Sequence, residues 1–484
     1  MPLAHSVTHG VCSFTILKIR QTDNRAFDVI PIESPIQQFG MGGNVSMLIR
    51  TVFRGAETLE FTLRGNIGSS KDAADRESRF FDILDIGGDV RLSFPSILFP
   101  IRTEGFIKKF MSPKTTVSTG INAQKNIGLD RQNFNGVLGY SWKPTRIRTN
   151  AFDLFNLQYV RNLNSSNYYN VYRSEYDRLN NIAQDVGYEF QNDDGQLSVP
   201  DETSSFVNLF FQPDNGLDIN RQQTDEVLSL EQRRRRLTEN NLILSTTYTW
   251  TRDSREGILD NSFSRLQFKL EGAGNLLAAF SSAASIKTNE DGNYRVFGVV
   301  FSQYAKFETN YIRHWEIDDN NILAFRFFGG IAIPYGNSTS IPFVRSYFAG
   351  GANDNRGWRP YDLGPGSSGS ILDFNEANFK LALNVEYRFP ILGSVKGAIF
   401  ADAGNIWNVF DDVEIPSFRF DGLQDLSETA LATGFGLRYD FGFFVLRLDT
   451  GFKTYNPALP EGARWFKQYN FANAVYNIGI NYPF

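Results

Sequence analysis

The sequence predicts an all-β protein, a transmembrane antiparallel β-barrel of about sixteen strands. Three observations lead to this fold class: long segments alternate strictly between apolar and polar residues, aromatic residues are abundant, and short connections alternate with long ones. Aromatic residues make up 14% of the 484 residues, with 44 Phe, 20 Tyr and 6 Trp, beside 41 Gly. This composition is not that of a disordered or collagen-like chain.

The alternation has a period of two residues. In Leu59–Arg64 the odd positions are apolar and the even positions polar, and Phe379–Phe389 continues the same pattern further. The pattern recurs in 266–271, 323–327, 435–439 and 476–482. Strict alternation gives a strand one wet and one apolar face. Because the strands are roughly 9–14 residues long, they suit tilted crossings of a bilayer, where a closed barrel satisfies every backbone group.

The connections support the same architecture, since outer-membrane barrels have short turns at one end and long loops at the other. The short turns are 53–57, 143–145, 318–321 and 440–442, and the long polar segments are 69–80, 161–240, 281–293, 336–378 and 408–428. We assign residues 25–484 to the barrel, with 161–240 and 336–378 as long extracellular loops. The second of these we expect to fold into the lumen.

The N-terminal segment, residues 1–24, does not fit this assignment. It lacks the charged, then apolar, then small-residue order of a signal peptide, although such a barrel must be exported. We therefore expect a truncated or misassigned start. Alternatively, the barrel begins within residues 14–36, with Phe27–Ile30 in the first strand.

The segment 161–240 is too long for a bare loop, so we expect local structure in it. Apolar residues recur there at helical spacing, namely Tyr172, Tyr176, Leu179, Ile182 and Ala183. They predict a short amphipathic helix near 170–185. The run Arg233–Arg236 follows. It is either a patch for anionic lipid headgroups or a partner, or part of a solvated loop at the membrane rim.

Several function classes are disfavoured. A net charge of -5 argues against nucleic-acid binding, which calls for a basic patch. The single Cys12 excludes an internal disulfide framework and a cysteine-rich zinc site, and three His leave little for a histidine metal site. We expect no metal, no cofactor and no enzyme activity, because His314 has no serine nucleophile elbow or Asp/His cluster to serve.

The segment 344–366 carries the most specific pattern in the chain. It combines five Gly and two Pro with Arg356, Trp358, Arg359 and Tyr361, a mixture that suits a loop folded back into a lumen. Glu386 and Asp402 follow on the wet faces of the next two strands, and a guanidinium matches a carboxylate in a planar fork. Such a pair would fix the position of the loop. Alternatively, these are ordinary lumenal charges, each paired with its nearest neighbour.

Residues 347–366 resemble the lumenal loop of the BamA/TamA family, the bacterial surface antigen family of outer-membrane assembly and translocation barrels. That family has a Val-Arg-Gly-Phe/Tyr motif in its sixth extracellular loop, between a Gly-Gly pair and a Gly-Pro pair. Here Gly350-Gly351, Asn355–Trp358 and Gly364-Pro365 stand in those places, with Asn and Trp at the ends of the motif. The resemblance implies that Arg356, next to Gly357 and Trp358, reaches Glu386 and Asp402.

The resemblance extends over about residues 25–484, and is closest to TamA-like proteins of the Bacteroidetes type. It includes FRGAE at 53–57, FADAGNIW at 400–407 and the C-terminal NIGINYPF. In that ending Tyr482 and Phe484 are similar to the signal by which outer-membrane barrels are recognised for insertion. The family usually also has periplasmic POTRA domains, and residues 1–24 are too short to hold one.

The resemblance implies a bacterial outer-membrane barrel that inserts or translocates proteins through a weak seam between its first and last strands. Its implied partners are outer-membrane lipids, client outer-membrane or exported proteins, and periplasmic accessory proteins. Asn477 and Gly479 in the last strand are poor strand formers and favour a labile seam. They equally suit a wet, crowded lumen, which leaves a passive pore or surface-binding barrel, plugged by its lumenal loop, as the alternative.

Overall fold

A computed structural model describes residues 25–28 and 37–484, apart from 54, 71–82, 127–129, 193, 214, 258–259, 290–291, 319–320, 370–374, 414, 443 and 481. The N-terminal segment 1–24 and most of the polar segment 69–80 therefore lie outside the described residues. No helix in the described part of the chain is long and apolar enough to cross a membrane.

The chain folds mainly into strands. Their bounds are β1 Arg25–Asp28, β2 Gln37–Arg50, β3 Thr58–Ser70, β4 Ile83–Phe94, β5 Lys114–Asn126, β6 Arg131–Thr145, β7 Arg148–Asn162, β8 Asn241–Asp253, β9 Ser264–Ala273, β10 Arg295–Val296, β11 Val299–Val300, β12 Tyr304–Asp318, β13 Asn321–Pro334, β14 Phe379–Leu392, β15 Val395–Trp407, β16 Ala430–Asp440, β17 Val445–Tyr455 and β18 Val475–Ile480. The α-helices are α1 Tyr168–Val171, α2 Arg173–Asp185, α3 Asp201–Phe210, α4 Arg221–Thr238 and α5 Asn275–Ala283.

All strands except β10 and β11 form one antiparallel sheet of 16 strands, in which each strand pairs with its neighbours in chain order. This confirms the expected transmembrane β-barrel of about sixteen strands. β10 and β11 pair only with each other, in a small hairpin between β9 and β12. β1 and β18 are the two ends of the strand order, and we call the line where they would meet the seam.

The alternation of the sequence gives the wall its two faces. In β14 the side chains of Asn384, Glu386 and Arg388 are buried on the inner face, while Leu383 projects outward and is exposed. In β15 Asp402 is buried and Ile399 exposed in the same way. The exposed aliphatic and aromatic side chains of the outer face are suited to lipid.

The connections separate the two ends of the barrel. From the general pattern of outer-membrane barrels, we assign the end with the long segments as extracellular and the other, which has the turns at 51–57, 146–147 and 393–394, as periplasmic. One connection departs most from the expected regularity: residues 95–113, between β4 and β5, form the longest segment at the periplasmic end. The sequence pattern did not indicate it.

The extracellular segment between β7 and β8 folds into a helical cap, which we define as residues 163–240. The helix expected near 170–185 is confirmed as α2. The sequence reasoning missed α3 and α4, although α4 begins with a local signal: the side chain of Asn220 accepts from the backbone of Gln223 and the Gln223 side chain accepts from the backbone of Asn220.

The cap has its own apolar core, shared with two other extracellular segments. Tyr172, Leu179 and Phe206 are buried in it, together with Tyr361 of the segment before β14 and Phe418 of the segment before β16. The helices therefore rest on the loop that carries Arg356, and do not form a separate unit.

The run Arg233–Arg236 lies on α4, so the expectation of a solvated loop is wrong. Arg233 is buried and forms an ion pair with buried Glu175 of α2. Arg236 pairs with Glu376 at 3.0 Å. Only Arg235 is largely exposed, with 67% of its side chain open to solvent. The cationic run mostly holds the cap together and ties it to the segment before β14.

Candidate functional site

The segment between β13 and β14 enters the barrel and places Arg356 against the inner wall. Arg356 is buried, and its side chain donates from Nε to Oδ2 of Asp402 at 2.7 Å and from Nη2 to Oδ1 at 2.9 Å. The backbone N–H of Arg356 also donates to Oδ2 of Asp402, at 3.1 Å. Asp402, on β15, thus binds both the guanidinium fork and the main chain of the loop, as a planar fork on a carboxylate predicts.

Glu386 of β14 is the second acid that the sequence singled out, and the structure brings it to the same guanidinium. Nη1 of Arg356 donates to Oε2 of Glu386 at 2.5 Å. Glu386 also accepts from Nε of Arg388 at 2.7 Å and from Nη2 of Arg438 at 3.0 Å. One buried carboxylate therefore contacts three guanidinium groups.

Sequence reasoning missed the rest of this cluster. Arg438 of β16 donates to Asp449 of β17 at 2.6 Å, and Arg447 lies 3.4 Å from the same carboxylate. The sequence of β16 did indicate an inward-facing arginine, because Arg438 stands between Leu437 and Tyr439 in an alternating segment. Parity assigned it to the wet face, but the partner depends on how strands pair, which parity does not specify.

We call this set the anchor cluster: Arg356, Arg388, Arg438, Arg447, Glu386, Asp402 and Asp449. All seven side chains are buried. Desolvation offsets much of the attraction between buried charges, so the cluster contributes more to position than to net stability. Removing one partner would leave an uncompensated buried charge, which makes the arrangement costly to disturb.

The neighbours of Arg356 explain why the loop packs so closely. A Cβ on Gly357 would lie 2.6 Å from Cβ of Ala432, so only glycine fits against β16 there. Trp358 is buried among small and apolar residues of the wall, including Ile406 and Ala430. Trp358 and Gly357 are therefore packing residues of the anchored loop.

The last strand touches the anchor directly. Asn477 of β18 is buried on the inner face, and its Nδ2 donates to the backbone carbonyl of Arg356 at 3.0 Å. Two residues on, a Cβ at Gly479 would lie 2.5 Å from Nη2 of Arg447. Both residues therefore serve a crowded lumen, one by hydrogen bonding and one by leaving space for a guanidinium.

The C-terminal aromatics lie beside the cluster on its periplasmic side. The guanidinium carbon of Arg388 is 4.0 Å from the ring centroid of Tyr482 and 5.9 Å from that of Phe484. The carbonyl oxygen of Phe484 lies 3.2 Å from Nε2 of His314. His314 thus has a packing and hydrogen-bonding environment in the wall, with Phe263 on its ring.

The extracellular side of the loop is tied to the cap through Glu376. Burial raises the pKa of Glu376, and Arg236 opposes that shift. Arg236 also donates from Nη2 to the carbonyl of Ile341 at 3.1 Å. The loop is thus held at two levels, by the wall below and by α4 above.

The chemistry of the site is that of a clamp. Its acids are occupied by guanidinium groups, and the described part of the chain contains no group of three or more His, Cys, Asp or Glu placed to hold a metal. Arg356, Glu386 and Asp402, the three residues expected to meet, are in contact, and their role as an anchor of a lumenal loop stays a prediction.

Known proteins resemble this chain in sequence and in fold. The Omp85 superfamily domain matches residues 43–471. The outer membrane protein assembly factor BamA of Neisseria meningitidis serogroup B (strain ATCC BAA-335 / MC58) is 33% identical over 93 residues, 17% of this chain. The match spans 12% of that relative's length.

Two solved structures are similar to this chain at low sequence identity. The crystal structure of BamA from Haemophilus ducreyi lacking POTRA domains 1-3 covers 95% of this chain and 70% of its own, with a TM-score of 0.52 and 12% identity. CdiB from Acinetobacter baumannii covers 91% of this chain and 56% of its own, with a TM-score of 0.43 and 11% identity. The likeness to the BamA structure supports the barrel fold.

These findings agree with the expectation of a BamA/TamA-type barrel located in the bacterial outer membrane. The family consists of assembly and translocation barrels without enzymatic activity. The narrower likeness to TamA-like proteins of the Bacteroidetes type stays a prediction. Since the family model covers most of the sequence, the chain belongs to the Omp85 superfamily.

Proposed function

We propose that this barrel inserts proteins into the outer membrane, or moves them across it, through the seam between β1 and β18. The observation that carries the proposal is the shortness of the last strand. β18 has 6 residues and β17 has 11, and among the described residues six pairs join them. A short, weakly held edge strand is suited to exchange its partner for an incoming strand, because an exposed sheet edge templates β-augmentation.

The anchor cluster supports this proposal because it connects the loop to the edge. Arg356 holds the loop on β14 and β15, and its carbonyl receives the side chain of Asn477 in β18. The loop thus forms a fixed inner support for the last strand. A client strand could displace the edge of β18 while the loop keeps the lumen filled.

The partners follow from the same proposal. The clients are outer-membrane or exported proteins that offer an unpaired strand, and the surrounding lipids receive the product. Periplasmic accessory proteins would deliver the clients. The aromatic ending with Tyr482 and Phe484 we assign to recognition of this barrel during its own insertion.

Locking the seam tests the proposal. In a Cys12→Ser background, Phe27→Cys with Ile478→Cys places one thiol on each edge strand, and an oxidant or a bifunctional thiol reagent joins them. In proteoliposomes that contain the locked protein, we expect assembly of an unfolded client barrel to fall at least tenfold and to recover on reduction. The measurement is the rate at which the client becomes protease-resistant.

The matched control locks β18 to its existing neighbour. Leu448 and Ile478 face each other in adjacent strands, and both project outward, so Leu448→Cys with Ile478→Cys forms the same kind of link and leaves the seam free. This variant should assemble clients at the native rate. If locking the seam leaves client assembly untouched, the seam proposal is wrong.

A passive pore closed by its own loop is the second candidate. It is supported by the full burial of Arg356 and its partners, which is what a loop that closes the lumen requires. Under this alternative, Arg356→Ala should greatly increase single-channel conductance while client assembly continues. Under the seam proposal, the same substitution should impair client assembly.

A further inference from the structure

The connection at 95–113, which we call the rim segment, is the part of the barrel that neither the seam nor the anchor cluster explains. It lies at the periplasmic end, between β4 and β5. It contains the sequence PSILFPIRTEGFIKKFMSP, which mixes large apolar residues with Arg102, Lys108 and Lys109. A periplasmic turn needs neither feature.

The rim segment packs on the outer face of the wall. Thr115 pairs with Tyr140 across β5 and β6, and paired residues project from the same face. Thr115 shares the parity of Val117 and Ile121, both exposed on the outer face. Thr115 and Tyr140 therefore also point outward, towards the lipid side.

Residues of the rim segment cover these two outward side chains. Oγ1 of Thr115 donates to the carbonyl of Ser96 at 2.6 Å and accepts from the backbone N–H of Leu98 at 2.8 Å. The hydroxyl of Tyr140 donates to the carbonyl of Leu98 at 3.1 Å, and the ring of Phe99 stands edge-on to the Tyr140 ring at 5.5 Å. Three hydrogen bonds and one ring contact thus fix the segment to the outside of the barrel.

The side of the rim segment that faces away from the wall is apolar and unusually exposed. Ile101 is 70% exposed, Phe106 66% and Phe110 75%. A protein in water rarely leaves such large side chains together on its surface. At the periplasmic end of a membrane barrel, however, such side chains are suited to the level where the bilayer meets the periplasm.

Cations border this apolar surface. Arg102, Lys108 and Lys109 are exposed, and none of them forms an ion pair with a described residue. The chain as a whole carries a net charge of -5, so the local excess of cations is not a property of the surface in general. Apolar side chains beside Lys and Arg match an interface of acyl chains and anionic headgroups.

We infer that the rim segment is a binding surface for anionic phospholipids of the inner leaflet of the outer membrane. Ile101, Phe106 and Phe110 enter the acyl region, and Lys108 and Lys109 contact the headgroup phosphates. The placement on the lipid side of the wall selects lipid over a periplasmic protein. The segment would fix the depth of this side of the barrel and keep a shell of anionic lipid beside β4 to β6.

Quenching of a tryptophan by brominated lipid tests this placement in the full chain. Phe110→Trp puts a reporter on the rim segment, and Phe297→Trp puts one on the extracellular hairpin, where Phe297 is 90% exposed. Both proteins are reconstituted in phosphatidylcholine vesicles with bromine near the headgroup end of the acyl chains. After subtraction of the native emission, we expect at least twofold quenching at 110 and little at 297.

The charge preference is measured with the same reporter. A small, equal fraction of brominated phosphatidylglycerol or brominated phosphatidylcholine is placed in a phosphatidylcholine host. We expect the anionic lipid to quench Trp at 110 several-fold more, since one cation near an anionic surface contributes roughly a fivefold preference. Lys108→Glu with Lys109→Glu should abolish that difference, whereas the extracellular pair Arg221→Glu with Lys287→Glu should preserve it.

Two results would overturn the inference. Absence of quenching at 110 would place the segment in water and favour a periplasmic protein as its partner. Equal quenching by the two brominated lipids in the protein that retains Lys108 and Lys109 would show that the cations do not select anionic lipid. The variants should unfold in vesicles at the same temperature as the native protein, which checks that the barrel is intact in each measurement.

Discussion

An ion pair between Arg and Asp occurs in each half of this barrel, partly exposed to water in the early strands and buried in the late strands. In the early strands, Arg64 of β3 lies 2.7 Å from Asp89 of β4, with 39% and 22% of the two side chains exposed. In the late strands, Arg356 lies 2.7 Å from Asp402, with 1% and 0% exposed. The distance is identical, and the access of water is not.

This difference in exposure indicates that the lumen has a wet part and a dry part. Beside β3 and β4 the inner face is open to water, which screens charges and gives a pair little net value. Beside β14 to β17 the inserted loop excludes water, so each charge needs its partner. The loop therefore converts one half of a wet lumen into a dry, fixed interior that reaches β18.

The largest expected effect comes from removing one carboxylate charge in each half. Asp402→Asn should destabilise the barrel by about 3–5 kcal/mol, because it leaves Arg356 short of a buried counter-charge. Asp89→Asn should cost less than about 1 kcal/mol, because water replaces the partner of Arg64. Urea unfolding in phosphatidylcholine vesicles, followed by tryptophan fluorescence, measures both. Equal destabilisation by the two substitutions would contradict the division of the lumen.

A second pair of substitutions applies the comparison to the cap, within one run of arginines. Arg233→Gln should lower the stability of the cap by about 3 kcal/mol, because Arg233 is buried against Glu175. Arg235→Gln should change it by less than about 0.5 kcal/mol, because Arg235 is mostly exposed. The rate of proteolytic cleavage within 163–240 reports cap opening. Similar cleavage rates for the two variants would show that burial does not govern this run.

A third, smaller effect concerns the contact between the dry half and the last strand. Asn477→Ala removes one hydrogen bond to the carbonyl of Arg356, and it should weaken the hold on β18 by about 1 kcal/mol. Hydrogen exchange of the β18 amides should then become roughly fivefold faster. Asn473→Ala, in the exposed segment before β18, is the control and should leave these amides unchanged. Unaltered hydrogen exchange in Asn477→Ala would show that the loop does not stabilise β18 at the seam.

The sequence predicted the strands and their faces because these depend on local information. Alternate residues of a strand face lipid and lumen, whichever strands lie beside it. The faces of Leu59–Arg64 and Phe379–Phe389 could therefore be assigned from the alternation alone. The contact of Arg356 with Glu386 and Asp402 was predictable too, because the Gly-rich loop and the resemblance pointed to the next two strands.

The partners of Arg438 and Asp449 were not predictable in the same way. Their contact depends on the register of β16 against β17 and on the loop that closes over them. The alternation within one strand specifies neither of these. The rim segment was missed for a related reason. It has no alternating pattern, and its role becomes visible only when Thr115 and Tyr140 are found on the outer face.

The last effect has the opposite sign and concerns a partly buried carboxylate, whose burial outweighs its nearby cations. Asp411 lies before β16, next to Val413 of the cap core, and burial raises its pKa to about 6. Because the pKa is higher in the folded protein than in the unfolded chain, the proton stabilises the fold at low pH. This stabilisation is complete below the unfolded pKa of about 4 and is lost as the pH rises through about 6.

Asp411→Asn should remove that dependence. Proteolysis of the cap in the native protein should therefore accelerate between pH 4 and pH 7, and the variant should show a flatter profile and a more stable cap at neutral pH. Asp185→Asn, at the exposed end of α2, should keep the native profile. In contrast with Asp402, whose charge holds the fold together, neutralising Asp411 should help it. If Asp411→Asn also weakened the cap at neutral pH, its charge would have to be counted among the stabilising contacts to Arg236 and Arg419.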